Sequence, residues 1–145
     1  AACNGFTKAA AMDSTIAHID RHMNNLLRTG KNKYFFIDND QLVIKYQNHG
    51  WLVADLDVNK KYNNKLYDFA KKAFNSRQIG KFNSLMIHES QSHAQAWQSI
   101  CSELEDWKNK IYQQHIADYN DFIAFLSARC MSAHAHTTSR VQLLI

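Results

Sequence analysis

The sequence predicts an α+β fold: an N-terminal helix, a three-stranded antiparallel meander, a second helix, then long or broken amphipathic C-terminal helices. Three observations carry this. Between Asp13 and Thr29 apolar residues recur at helical spacing. From Lys33 to Val58 the pattern changes to short β-branched and aromatic runs. From Trp97 to Cys130 one apolar stripe returns at roughly 100° per residue, in a chain that contains no proline.

Asp13 or Ser14 can cap the first helix, which runs to about Thr29. Ile16, Ile19, Met23, Leu26 and Leu27 share one face, and Gly30 is a natural C-cap. Residues 33–38, 41–46 and 51–58 read as strands. Asn39-Asp40 forms a tight turn between the first two, and Asn48-His49-Gly50 links the second and third. In the third strand Leu52, Ala54, Leu56 and Val58 alternate with Val53, Asp55 and Asp57, which gives one buried and one partly wet face. Asn59 can cap a second helix that runs to about Arg77. Its Tyr62, Leu66, Phe69 and Ala73 point inward, while Lys61, Lys65 and Lys72 project from the other side. Gly80 separates it from the last region, whose start over residues 82–88 is read as helix. Residues 132–145 are a tail ending in a strand or docked segment, and residues 1–11 a flexible lead.

A length of 145 residues fits one domain, and an apolar fraction of 46% is enough to build its core. No apolar run approaches the roughly 18 residues of a membrane span, so no membrane is expected. Cys3, Cys101 and Cys130 are an odd, scattered set that makes neither a disulfide framework nor a zinc site. Cys101 and Cys130 fall on the apolar stripe and read as small hydrophobes, which fits a reducing, cytoplasmic compartment. No cofactor or metal is expected.

Charge is uneven. Residues 28–81 hold eleven Lys/Arg against five Asp, and residues 82–131 hold three Lys/Arg against six Asp/Glu. A basic middle and an acidic C-terminal half point to an anionic partner or to electrostatic pairing of the halves. The basic residues most apt to meet nucleic acid are Lys60, Lys61, Lys65, Lys71 and Lys72, with tyrosines nearby for stacking.

The stripe poses a geometric conflict. As one straight helix from Trp97 to Cys130 it would span about 50 Å. A globule of this size is only about 35–40 Å across. The helix therefore breaks, with residues 117–121 the expected place, or it projects and needs a partner, commonly a second copy. Trp97, Leu104, Trp107, Ile111, Tyr119 and Phe122 are the residues expected to carry self-association. His115 falls in the centre of the stripe, as a core histidine or a pH-sensitive contact.

Other histidines invite comparison with known chemistry. His18 and His22 have the i,i+4 spacing of paired metal ligands, but they lie off the apolar face and read as exposed polar residues. With His88, His93 and His115 they bear a faint similarity to hemerythrin-like diiron bundles. The second pair is one residue too wide and the middle third reads as sheet, so that comparison is set aside. His88-Glu89-Ser90 and His136-Thr137-Thr138 resemble the two His-x-Ser/Thr motifs of two-histidine phosphoesterases, in which paired imidazoles act as acid and base. Here His88 is placed in a helix and His136 in a polar tail.

The order helix, three strands, helix resembles the core of restriction-endonuclease-type nucleases. That resemblance implies magnesium held by strand carboxylates. The second strand has no acid, and no lysine follows two residues after Asp55, so Asp55 and Asp57 read instead as the wet face of a strand.

The expected function is a small non-enzymatic interaction protein that acts, and self-associates as a dimer, through its C-terminal helices. The alternatives are a nucleic-acid-binding accessory protein using the lysine face, then a phosphoesterase or nuclease-like enzyme.

Overall fold

The alanine-rich start of the chain lies at the centre of the fold. In the computed structural model, which describes residues 4–18, 21, 26–31, 33–36, 45–47, 50–52, 58–111 and 113–142, helix α1 covers Asn4–Ile16. Residues 4–11, read from sequence as part of a flexible lead, are thus the start of this helix. Ala9, Ala10 and Ala11 are buried, and their small side chains let α1 sit against four other helices. These are α2 (Lys65–Ala73), α3 (Ser76–Ser90), α5 (Ile116–Met131) and α6 (Ala133–Gln142); α4 (His93–Asp106) packs on α5 and α6.

The expected α+β meander is corrected: the described residues are mostly helical. Four short strands form two separate antiparallel ladders. In one, β1 (Leu26–Gly30) pairs with β2 (Lys33–Phe36); in the other, β3 (Lys45–Gln47) pairs with β4 (Gly50–Leu52). No three-stranded sheet occurs among the described residues. The segment expected as strand one finds its partner in residues expected to be helical, with Leu27 opposite Phe35. The proposed Asn39-Asp40 turn lies outside the described residues.

The first helix stops at Ile16 because the backbone turns there. Ala17 adopts φ 57°, the left-handed region usually left to glycine, and is fully buried. His18 N–H then donates to the Asp13 carbonyl at 3.0 Å, the six-to-one bond of a Schellman cap. Asp13 and Ser14, expected to start a helix, therefore lie in the last turn of one.

The second expected helix begins later than Asn59. Arg129 of α5 donates to the carbonyls of Val58 and Lys60, both at 2.9 Å, so these groups are held by a side chain in place of a helical ladder. Asn64 is the N-cap instead. Its side chain accepts from Tyr67 N–H at 3.0 Å and donates to the Ala10 carbonyl of α1 at 2.8 Å. The chain breaks again at Phe74, which is extended and packs edge-on against Phe82 at 5.6 Å. Asn75 and Gln78 then form a reciprocal capping box for α3. Gly80, expected to separate elements, sits inside α3 with open space around it.

Two apolar clusters result. One joins Phe6 and the α1 alanines to Leu66, Tyr67, Ala70, Phe82, Met86 and Val141. The other joins Tyr62, Trp97, Ile123, Phe125, Leu126 and Cys130. The expected tail is helical over α6, with Ala133, Thr137 and Val141 buried at four-residue spacing.

Candidate functional site

The long apolar stripe resolves its conflict by breaking. After α4 come two 3-10 turns, Trp107–Lys110 and Gln113–His115, and α5 then packs back against α4. The break lies before the expected 117–121. It is fastened by Tyr119, whose hydroxyl donates to the Leu104 carbonyl, one of the acceptors that a helix C-terminus leaves without an intrahelical partner. Of the six residues expected to mediate association, Trp97 is buried in the second apolar cluster. Leu104, Tyr119 and Phe122 pack partly buried against it, and Ile111 is half-buried. These contacts are within the chain.

Trp107 differs: it remains 48% exposed. Trp107 is the C-cap of α4, and Ile100, seven residues earlier on that helix, is 47% exposed. Seven residues of helix place them about 10 Å apart along the axis. Glu103, exposed, lies between them, and exposed Asp106 follows.

The lysine surface is real as a set of exposed groups, though only part of it is helical. Lys60 and Lys61 lie in the irregular segment before α2; Lys65, Lys71 and Lys72 lie on α2, and all five are exposed. Lys71 pairs with Asp68 at 3.3 Å and its ammonium sits 5.4 Å from the Tyr67 ring centroid. Lys60 sits 5.4 Å from the Tyr62 ring centroid. Phe69, expected to point inward, is 42% exposed, on the outer edge of α2 between Lys65 and Lys72. The reason is rotational: Leu66, Tyr67 and Ala70 occupy the inward arc, which leaves Phe69 at its margin against Phe6.

A third concentration of polar groups is interior. Arg129, 1% exposed, donates to four carbonyls: Ser14, Thr15, Val58 and Lys60. Arg21 grips Asp13 with two hydrogen bonds of 3.1 Å, and both side chains are buried. Burial pushes the Asp13 carboxyl above its ordinary range, against the pull of Arg21 and His18. The Thr15 hydroxyl lies 2.7 Å from His93 Nδ1 and also donates to the Ala11 carbonyl. Burial holds His93 below the ordinary histidine range, partly opposed by Glu89. His18, read from sequence as exposed, is fully buried at the α1 cap; its proposed mate His22 lies outside the described residues. These contacts make the cluster a fastening of α1 to α4, α5 and the 58–60 segment.

The phosphoesterase residues are separate in setting. His88 is exposed on α3, whereas His136 is half-buried on α6, where burial and the charges of Arg129, Arg140 and Lys61 lower its proton affinity. Asp55 and Asp57 lie outside the described residues. His115 sits in the 3-10 turn before α5, beside Gln114, and not at the centre of a packed stripe. Among the described residues no group of three or more His, Cys, Asp or Glu side chains is placed to hold a metal, and no helix is long and apolar enough to cross a membrane. Compared with family models, with curated proteins and with solved structures, the chain matches none.

Proposed function

We propose that this chain is a small non-enzymatic interaction protein that associates with a second copy of itself through its C-terminal helix pair. The observation that carries the reading is the outer edge of α4. Single exposed apolar side chains are ordinary on protein surfaces. Ile100 and Trp107 are instead stacked two turns apart on one edge, each close to half exposed. That is the spacing with which a helix offers anchors to a partner. Free Cys101 and Cys130 fit a reducing compartment, in keeping with a cytoplasmic placement. Sedimentation velocity over a wide concentration range tests it. Association is expected, with Ile100→Ser and Trp107→Ser each moving the population toward monomer. A wild-type chain that stays monomeric at its highest concentration removes the reading.

A second reading is nucleic-acid binding through the lysine surface, favoured by the joint exposure of Lys60, Lys61, Lys65, Lys71 and Lys72. It requires retention on DNA or RNA that weakens steeply with salt. Retention unchanged by Lys61→Glu, Lys65→Glu and Lys72→Glu together would exclude it.

A further inference from the structure

We infer that the surface receiving the α4 edge is the lysine face of α2 on the second copy, so that one protomer's acidic apolar stripe seats on its partner's basic one. This rests on the self-association reading and adds to it the identity of the docking surface.

The two stripes are matched in length and opposite in charge. On α2, Lys65, Phe69 and Lys72 occupy one outward arc at spacings of four and three, with Phe69 42% exposed between the ammonium groups. Ile100 and Glu103 on α4 and Trp107 at its C-cap occupy one outward edge at spacings of three and four, with Asp106 beside them. Each stripe covers two turns, about 10 Å of helix. The order differs, charge–apolar–charge on α2 and apolar–charge–apolar on the α4 edge, so the stripes meet offset by one turn: Phe69 against Ile100 sets Lys72 against Glu103 in a parallel crossing and Lys65 against Glu103 in an antiparallel one. The wider charge distribution agrees: the excess of Lys/Arg lies in residues 28–81 and the excess of Asp/Glu in residues 82–131.

Every copy carries both stripes, so the contact is made twice in a two-fold dimer if both stripes face one side of the protomer, and repeats head to tail if they do not. One such helix-on-helix contact is small beside the roughly 800 Å² per partner of a standard interface. Doubling it brings the area toward the low end of stable association, so a weak, salt-sensitive dimer is the expected species.

The test is a charge swap read by sedimentation velocity on the full chain. Glu103, Lys65 and Lys72 are all exposed, so reversing them leaves the core untouched; far-UV circular dichroism and the urea midpoint verify folding. Wild type is expected to associate at low salt and loosen at high salt. Glu103→Lys alone, and Lys65→Glu with Lys72→Glu alone, should each weaken association by about tenfold or more. Mixing the two variants pairs the two reversed stripes with each other at one contact and leaves the wild-type pairing at the other, so heterodimer should return to near wild-type affinity.

If wild type associates but neither variant weakens it, or the mixture fails to restore it, the docking assignment is overturned while self-association through the α4 edge stands. A monomeric wild type overturns both. A monomeric wild type that is retained on nucleic acid, with retention lost in the lysine variant, assigns the α2 face to nucleic acid instead.

Discussion

Replacing Arg129 by methionine should be among the most damaging single changes in this chain. The guanidinium donates to the Ser14 and Thr15 carbonyls at the end of α1 and to the Val58 and Lys60 carbonyls before α2. Hydrogen bonds from a charged donor contribute about 1.5–3 kcal/mol each, which for four would exceed what single substitutions do. The substitution also removes a buried cation whose desolvation costs several kcal/mol, and methionine fills much of the same volume. What remains is four carbonyls with a lost donor, giving a net loss of roughly 3–5 kcal/mol. Set against a typical total of about 5–15 kcal/mol, that is a large fraction of the stability. At about 2–4 °C per kcal/mol for a chain of this size, the melting temperature should fall by roughly 6–20 °C. Arg129→Lys keeps the charge but not the fork, and should fall between wild type and Arg129→Met. Urea unfolding followed by circular dichroism measures both. A loss under about 1 kcal/mol for Arg129→Met, or wild-type stability for Arg129→Lys, would refute the keystone role.

Other changes follow the same logic. Asn64→Ala removes both the α2 cap and the bond to Ala10, and should cost about 1–3 kcal/mol in urea titrations, with a loss of a few tenths counting against the dual role. His93 and His136 both bind protons less readily folded than unfolded. The unfolded chain therefore takes up more protons as pH drops below about 6.5, and stability should fall with pH in that window until the folded values are reached. Buried Asp13, shifted upward, acts in the opposite sense nearer its own acidic range. His93→Gln should flatten the slope in part, and a wild-type stability that is flat or rises as pH falls below about 6.5 contradicts the argument. Burial pushes the Cys130 thiol up to about 11, so in mass-resolved alkylation of the native chain it should label only on unfolding. Rapid native labelling of Cys130 would show that the α5 face opens.

Periodicity located helices well where their packing is one-sided. The stripe from Trp97 to Cys130 was legible, and so was the conflict between its length and the size of the domain. Where it would break was not. The break at residues 107–115 depends on Tyr119 reaching the Leu104 carbonyl, a contact between positions fifteen apart. The α1 stop was hidden for a related reason: the left-handed position is filled by Ala17, which carries no glycine signature. Arg129 did leave a trace, since it falls three residues after Leu126 and seven after Phe122, on the apolar face itself. A charged residue there announces a buried partner set without naming it.

For the candidate surfaces the division is the same. Lys60, Lys61, Lys65, Lys71 and Lys72 were readable as an exposed group because solvation of lysine is nearly independent of context. Phe69 and Trp107 were not separable from the core by spacing, because both sit at the margin of an apolar arc. Sequence by itself determined composition, the segregation of charge and the helical period of the C-terminal stripe, all properties of near neighbours along the chain. Tertiary structure alone decided the central place of α1, the helical hairpin and which apolar residues stay outside. Those outcomes depend on side chains meeting carbonyls and rings far away in sequence, and such meetings leave no local pattern to read.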